Sequence, residues 1–280
     1  MTFREALVET RKLLACVSID EAHLESELIL RHVTGNSRVE LFINPNHNLT
    51  QNQEDTLRQL VQRRQSGEPI AYILGTQQFY GLDFYVNANT FIPRPETELL
   101  VEKSIQWAKE HHHLTIADIG TGCGAIAISL AYHLPTATIY ATDISSDALA
   151  IAKINLESHQ QNGRICLLKG NLLEPLPEPV DLIIANLPYV KYTDLVRVNT
   201  YGYEPTLALN GGPEGTTLIT ELCYQASDRL NKGGRILLEI EPRQASVVTK
   251  LLVHLFPLAT TETCNDFNGL NRIVSLTLPI

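Results

Sequence analysis

From Thr115 onward the chain alternates short apolar runs with helix-like segments, and few folds accommodate that alternation. Residues 115–119 read as a buried-type strand, followed by a glycine loop and an apolar helix over residues 125–133. A second strand over residues 138–142 ends at Asp143, and a second helix covers residues 146–157. Residues 165–168, 182–185 and 235–240 read as further strands, the last placed after a Lys232-Gly233-Gly234 turn. Two more apolar segments follow, around residues 258–263 and 273–278. Strands that alternate with helices imply an α/β fold, a largely parallel sheet with helices on both faces. Ligands on such sheets bind outside the carboxyl ends of the strands. The loops after the first four strands are therefore where chemistry is expected.

The first third has a different texture. Phe3, Leu7, Leu13 and Leu14 recur at helical spacing, and Asp20 precedes a second periodic segment, residues 24–33, which Gly35 ends. Thr50 with Gln53 three residues on has the form of a capping box, opening a helix with Leu57, Leu60 and Val61 on one face. These segments carry no chemical motif and read as a small helical bundle. Residues 72–91 turn aromatic and β-branched around Gly75 and Gly81, as a hairpin linker would. Ile92-Pro93-Arg94-Pro95-Glu96 then bars regular structure until a helix begins after Pro95 and runs past Trp107. The expected organisation is a helical domain over 1–72, a β-hairpin linker over 73–92 and an α/β domain over 93–280.

Composition removes several functional classes. With 22 Lys and Arg against 31 Asp and Glu, the 280-residue chain carries a net charge of −9, which disfavours a grip on long nucleic acid through its phosphates. No apolar run approaches the ~18–20 residues that span a bilayer, and the N-terminal residues lack a signal-peptide core. A cytoplasmic protein with no membrane association is expected. Cys16, Cys123, Cys166, Cys223 and Cys264 form no CxxC pair, so no disulfide framework or zinc site is expected. The His111-His112-His113 run reads as a solvated loop, and no metal is assigned.

Two loops carry the functional signal. After the first strand of the α/β region stands Asp118-Ile119-Gly120-Thr121-Gly122-Cys123-Gly124, whose alternate glycines permit a tight turn and close backbone approach to a ligand at a helix N-terminus. Asp143 follows about 20 residues later, where an acid would meet a ribose. These features alone fit either a nicotinamide dinucleotide or S-adenosylmethionine. The loop after the fourth strand, Asn186-Leu187-Pro188-Tyr189, separates them. An Asn side-chain oxygen and the next carbonyl can together accept both hydrogens of an NH₂ group. Pro188 holds Leu187 extended, and Tyr189 offers a flat face to a planar group. A dinucleotide-dependent oxidoreductase would leave this second loop idle.

DIGTGCG (118–124), Asp143 and NLPY (186–189) resemble the S-adenosylmethionine-dependent amino-group methyltransferases. FIPRPETELL (91–100) and YEPTLALNGGPEG (203–215) narrow the resemblance, over nearly the whole chain, to the HemK-type release-factor glutamine methyltransferases. The resemblance implies a seven-stranded, mostly parallel, Rossmann-like methyltransferase domain preceded by a small helical substrate-recognition domain. It implies S-adenosyl-L-methionine as cofactor, S-adenosyl-L-homocysteine as product, and class I peptide chain release factors as partners. Carried over residue by residue, it places the cofactor on Gly120, Thr121, Gly122, Cys123, Gly124, Asp143, Asn171 and Leu172. Asn186 would touch cofactor and substrate, and Asn186, Leu187, Pro188 and Tyr189 would hold the substrate amide as the catalytic loop. Arg94 and Glu204 are candidates for substrate positioning or for a structural ion pair. A monomer is expected. The sequence departs from the family at Leu187, where proline is usual, and at Asn171, where an acid is usual. Asn-Leu-Pro-Tyr is also the form found in ribosomal-RNA adenine dimethyltransferases, so an RNA or DNA adenine amino-methyltransferase is the competing reading. Those RNA enzymes place the helical domain after the methyltransferase domain, opposite to the order here.

Overall fold

The computed structural model describes residues 1–17, 19–111, 113–198 and 202–280. The chain divides into two compact units, Met1–Gly75 and Thr76–Ile280. The first contains α1 (Phe3–Ala15), α2 (Ala22–Thr34), α3 (Arg38–Ile43), α4 (Gln51–Gln65) and α5 (Ile70–Leu74). Reciprocal capping boxes start three of them: Thr2 with Glu5, Ser37 with Glu40, and Thr50 with Gln53. Their apolar stripes bury Phe3, Leu14, Ile29, Leu30, Leu41 and Leu57 in one core. Gly35, at φ 71°, ends α2 in the left-handed conformation that favours glycine.

The second unit opens with an antiparallel hairpin, β1 (Thr76–Phe79) and β2 (Leu82–Tyr85). A 3₁₀ turn, Pro95–Thr97, leads into α6 (Glu98–Ala108). Then come β3 (Thr115–Ile119), α7 (Ala125–His133), β4 (Thr138–Asp143), α8 (Ser146–Ser158), β5 (Ile165–Lys169), β6 (Val180–Ala185) and the short α9 (Leu195–Val198). The order finishes with α10 (Thr217–Ala226), β7 (Leu230–Glu239), α11 (Ala245–Leu255), β8 (Thr260–Asn265) and β9 (Asn271–Thr277). The seven strands β3 to β9 form one sheet in the order β5-β4-β3-β6-β7-β9-β8, parallel except for the pairings of β9 with β7 and β8. This is the doubly wound α/β arrangement expected from the sequence, with its switch point between β3 and β6.

Several boundaries differ from the sequence expectation, each for a physical reason. Residues 72–74 belong to α5 rather than the hairpin, because Pro69 starts a single helical turn that Gly75 stops at φ 71°. The expected turn at Lys232-Gly233-Gly234 lies inside β7, where the register against β6 slips between Val180 and Leu182. That segment is a bulge within a longer strand. The helices α3, α9, α10 and α11 have no counterpart in the expected elements. His111 stacks on Trp107 with centroids 4.1 Å apart, and His112 lies outside the described residues.

Candidate active site

Register along the carboxyl edge of the sheet assembles the site. Ile119 pairs with Thr142 on one side and Ala185 on the other, so the chain leaves β3 at Gly120 beside Asp143 and Asn186. Ala185 pairs in turn with Leu238, which sets Glu239 beside Asn186. A cavity of about 350 Å³ opens over this edge. Of the residues singled out in the sequence, Arg94, Gly120, Thr121, Gly122, Cys123, Asp143, Asn171, Leu172, Asn186, Leu187, Pro188, Tyr189 and Glu204 all line it. Gly124 does not; at φ 84° it forms the entry to α7.

The glycine loop is fixed from beneath. The Gly120 and Thr121 N–H groups both donate to the Thr142 carbonyl at 2.9 Å. The Thr121 hydroxyl donates to Asp118 Oδ2 at 2.6 Å, and the Ala127 N–H reaches the same oxygen at 3.1 Å. Burial pushes the Asp118 carboxyl up to about 6, against the hydrogen bonds from Thr121 and Ala127. Gly120 has φ 71°, and a Cβ there would stand 3.1 Å from Leu187 Cδ2. Gly122 has φ 57°, and a Cβ there would meet no protein atom within 4 Å, so its cavity side is open to a ligand. The Cys123 thiol is buried and pushed up to about 12, which makes it inert as a nucleophile near neutral pH.

Asp143 clamps the loop from the end of β4. Its Oδ2 accepts from the Gly122 N–H and its Oδ1 from the Ser145 N–H, both at 2.9 Å. Each oxygen retains a lone pair for a further donor such as a ribose hydroxyl. Burial raises its pKa, opposed by the backbone N–H groups of Ser145, Gly122 and Ile144. Beyond β5, Leu172 holds a left-handed φ of 50°, a costly conformation for leucine, while its carbonyl accepts from the Thr142 hydroxyl at 3.0 Å. Asn171 Nδ2 donates to Glu221 at 2.6 Å.

The loop after β6 combines one buried and three partly exposed residues. Leu187 is 4 % exposed and packs into the sheet core, whereas Asn186, Pro188 and Tyr189 are half-buried beside the cavity. Asn186 Nδ2 donates to Thr97 Oγ1 at 2.9 Å. With the amide nitrogen engaged there, the amide oxygen is left as the acceptor for a ligand. Burial pushes the Tyr189 phenol up to about 12, with Glu239 adding to the rise, so Tyr189 stays neutral in the physiological range. Arg94 and Glu204 are brought together as an ion pair, Nη2 to Oε2 at 2.6 Å, and Glu204 Oε1 also accepts from the Ile92 N–H at 3.2 Å. The Arg94 guanidinium lies 4.8 Å from the Phe91 ring centroid. The pair therefore fastens the 203–215 segment to the 91–100 segment at the cavity wall.

Sequence reasoning missed Thr97 and Glu239, together with the lining residues Thr90, Phe91 and Ile144. A signal for Glu239 was present: it is a lone acid in the apolar run Ile236-Leu237-Leu238-Glu239-Ile240, next to the carboxyl end of a strand. Thr97 sat unnoticed within the Pro-Arg-Pro-Glu-Thr turn. Among the described residues no cluster of His, Cys, Asp and Glu could hold a metal ion. No helix among them is long and apolar enough to cross a membrane.

Two family models match the chain: the PrmC N-terminal domain over residues 5–75 and the methyltransferase small domain over residues 95–199. The release factor glutamine methyltransferase of Geobacter sulfurreducens is 37 % identical over 276 residues, covering 98 % of this chain and 95 % of that protein. The protein of the same name from Coxiella burnetii is also 37 % identical over 276 residues and covers 98 % of each chain. Among solved structures, a methyltransferase from Pyrococcus furiosus superposes with a TM-score of 0.53 at 18 % identity, over 81 % of this chain and 99 % of that one, and shows the shared fold.

Proposed function

The chain belongs to the family of release factor glutamine methyltransferases, and on that premise we propose that it methylates the side-chain amide nitrogen of the glutamine in the Gly-Gly-Gln tip of class I release factors. The observation that carries this reading is the position of Asn186. Its amide shares one cavity with the glycine loop and Asp143, at adjoining strand ends.

The residues present fit S-adenosylmethionine, the methyl donor of this family. The open side of Gly122 admits a ligand against the backbone, and Asp143 keeps a lone pair on each oxygen for ribose hydroxyls. Asn171, its nitrogen committed to Glu221, would offer its amide oxygen to an adenine amine beside Leu172. When bound there, the cofactor supplies an electrophilic methyl group on a sulfonium.

The protein's own task is set by the weakness of the nucleophile. An amide nitrogen has its lone pair delocalised into the carbonyl, so alignment matters more than a strong base. Asn186 Oδ1 and the Leu187 carbonyl would accept the two N–H bonds of the glutamine amide, turn its lone pair to the cofactor side and favour positive charge developing on nitrogen. Holding reactants in such a near-attack arrangement can lower a barrier by roughly 7–11 kcal/mol. Tyr189, neutral and half-buried, provides a face for the planar amide. The Arg94–Glu204 pair would define the wall beside it. The methyltransferase domain is assigned to residues 93–280, the linker to 73–92 and substrate recognition to the helical residues 1–72.

A release factor fits better than RNA because the chain carries a net charge of −9. The helical residues also precede the methyltransferase domain, unlike the order in RNA adenine dimethyltransferases. A release-factor substrate fits a cytoplasmic location, and the reading takes the protein to work as a monomer without direct nucleic-acid contact. Competition between a purified class I release factor and ribosomal RNA for methyl-labelled S-adenosylmethionine tests the reading. Label in the protein supports it, and label in the RNA overturns it.

A further inference from the structure

Asn171 stands where the base of the cofactor would lie, and which end of its amide meets that base decides what base is accepted. Register along the sheet places it. Asp143, read as the ribose acid at the end of β4, pairs with Lys169 on β5, and the Gly170 N–H donates to the Asp143 carbonyl at 3.1 Å. Asn171 therefore follows one strand beyond Asp143, on the side away from the glycine loop. Ile144 and Leu172 line the cavity with it and give a flat ring apolar surface. Behind the loop, α10 carries Glu221 and Gln225 one helical turn apart. The Leu173 N–H, a group that can only donate, donates to Gln225 Oε1 at 2.8 Å. Gln225 must then turn Nε2 the other way, and that nitrogen lies 3.5 Å from Glu221 Oε1. The same carboxylate oxygen accepts from Asn171 Nδ2 at 2.6 Å. A carboxylate oxygen asks for a donor, so Asn171 answers with Nδ2 and keeps Oδ1 for whatever occupies the cavity.

We propose that Glu221, seconded by Gln225, is a positioning residue that fixes Asn171 as an acceptor and so makes the cofactor site select a purine with a 6-amine over one with a 6-oxo group. The proposal rests on the placement of the cofactor's adenine beside Asn171 and adds what holds Asn171 to that task. Neither Glu221 nor Gln225 lines the cavity, so both act through Asn171. A free asparagine does not discriminate, because it can turn Oδ1 to an amine or Nδ2 to an oxo group. An acid, the usual residue at this position in the family, accepts whichever way it turns. The bond to Glu221 gives Asn171 the same one-way polarity. A 6-oxo base would then set its oxygen against Oδ1, two acceptors with no proton between them. The backbone of the loop has holds of its own: the Thr142 hydroxyl donates to the Leu172 carbonyl, and the Glu174 N–H to the Asn171 carbonyl, both at 3.0 Å. Removing the Glu221 carboxylate therefore frees the Asn171 amide to turn without releasing the loop.

Calorimetry with S-adenosyl-L-homocysteine and its deaminated counterpart, S-inosyl-L-homocysteine, reads the selectivity directly. The parent should bind the adenosyl compound more tightly by roughly 10–10²-fold, the scale of one polar contact turned from paired to unpaired. Glu221→Met, of similar reach but without an acceptor, should bring the two affinities to within about threefold of each other. Glu221→Gln can still present an oxygen to Asn171 and should keep the ratio within about threefold of the parent's. A substitution that merely loosened the fold would weaken both ligands alike and leave the ratio unchanged. In the ligand-free parent with ¹⁵N-labelled asparagine, the Asn171 side-chain proton facing Glu221 should resonate downfield of those of exposed asparagines and exchange slowly with solvent, a measurement that needs no variant to fold. A parental ratio in Glu221→Met, equal losses in Glu221→Met and Glu221→Gln, or an Asn171 amide that behaves like an exposed one would each overturn the proposal. Equal affinities in the parent would remove the selectivity and leave the cofactor reading standing. No binding of S-adenosyl-L-homocysteine by the parent would overturn the cofactor reading and the proposal with it.

Discussion

Glu239→Gln should make the protein more stable in alkaline solution. In the fold the Glu239 carboxyl is buried at the end of β7, and desolvation lifts it from 4.5 to about 7. That difference disfavours the ionised form in the folded chain by about 3 kcal/mol, at about 1.4 kcal/mol per pKa unit. The sign follows from proton uptake. Between the unfolded and folded pKa values the native state binds more protons, so Glu239 supports stability at low pH and withdraws that support as the pH rises through about 7. A neutral glutamine of nearly the same shape does not titrate. Urea unfolding of parent and variant at pH 5 and pH 8 should show the variant gaining about 2 kcal/mol relative to the parent across that interval. The two other raised carboxyls, Asp118 and Asp143, are common to both proteins and cancel in the comparison. A stability difference that is the same at both pH values would refute the reasoning, since it would mean that Glu239 is not held as a costly buried anion.

Asp143→Ala should weaken S-adenosylmethionine binding by about 1.5–3 kcal/mol in calorimetry, the scale of hydrogen bonds to a charged group. The upper half of that range is expected, because Gly122 also loses its clamp; NAD should not bind the parent. Leu187→Pro should leave turnover within about tenfold of the parent, since the proposed mechanism uses the carbonyl that both residues possess and, among the described residues, the Leu187 N–H donates no backbone bond outside the helices and strands. Leu187 is buried against the sheet core, so the same variant should lose about 1 kcal/mol in urea unfolding for the apolar contact removed. A hundredfold loss of turnover in folded, cofactor-binding Leu187→Pro would show that the side chain selects or orients the acceptor.

The sheet was legible where local pattern and topology agree. The limits of α7, Ala125–His133, coincide with the segment expected from its apolar run, and β4 ends at Asp143 as its strand pattern indicates. The loops at the carboxyl edge could be selected in advance because parallel sheets place ligands there. Short elements escaped for want of periods: α3 spans 6 residues, too few to show a helical repeat, although Ser37 and Glu40 spelled out its capping box. In α10 the spacing of Ile219, Leu222, Cys223 and Ala226 was a usable helical signal that went unread. The contact between Thr97 and Asn186 joins positions 89 apart, and no local rule reports such a pairing. Glu239 was recognisable as an acid in an apolar strand, but its neighbour across the sheet became known only from the register of β6 and β7. Arg94 and Glu204 were recognised as a pair of candidates, and only the fold showed that each is the other's partner.

Asn186 and the Leu187 carbonyl are proposed to present a glutamine side-chain amide to the methyl donor. Peptide mapping by mass spectrometry, after incubation of the protein with a class I release factor and S-adenosylmethionine, tests it most directly. One added methyl group is expected on the amide nitrogen of the Gly-Gly-Gln glutamine, with turnover lower by about 10²–10³ in Asn186→Ala, as for loss of one preorganised partner at a reacting centre. A methyl group on any other residue, or an Asn186→Ala variant as active as the parent, would contradict it.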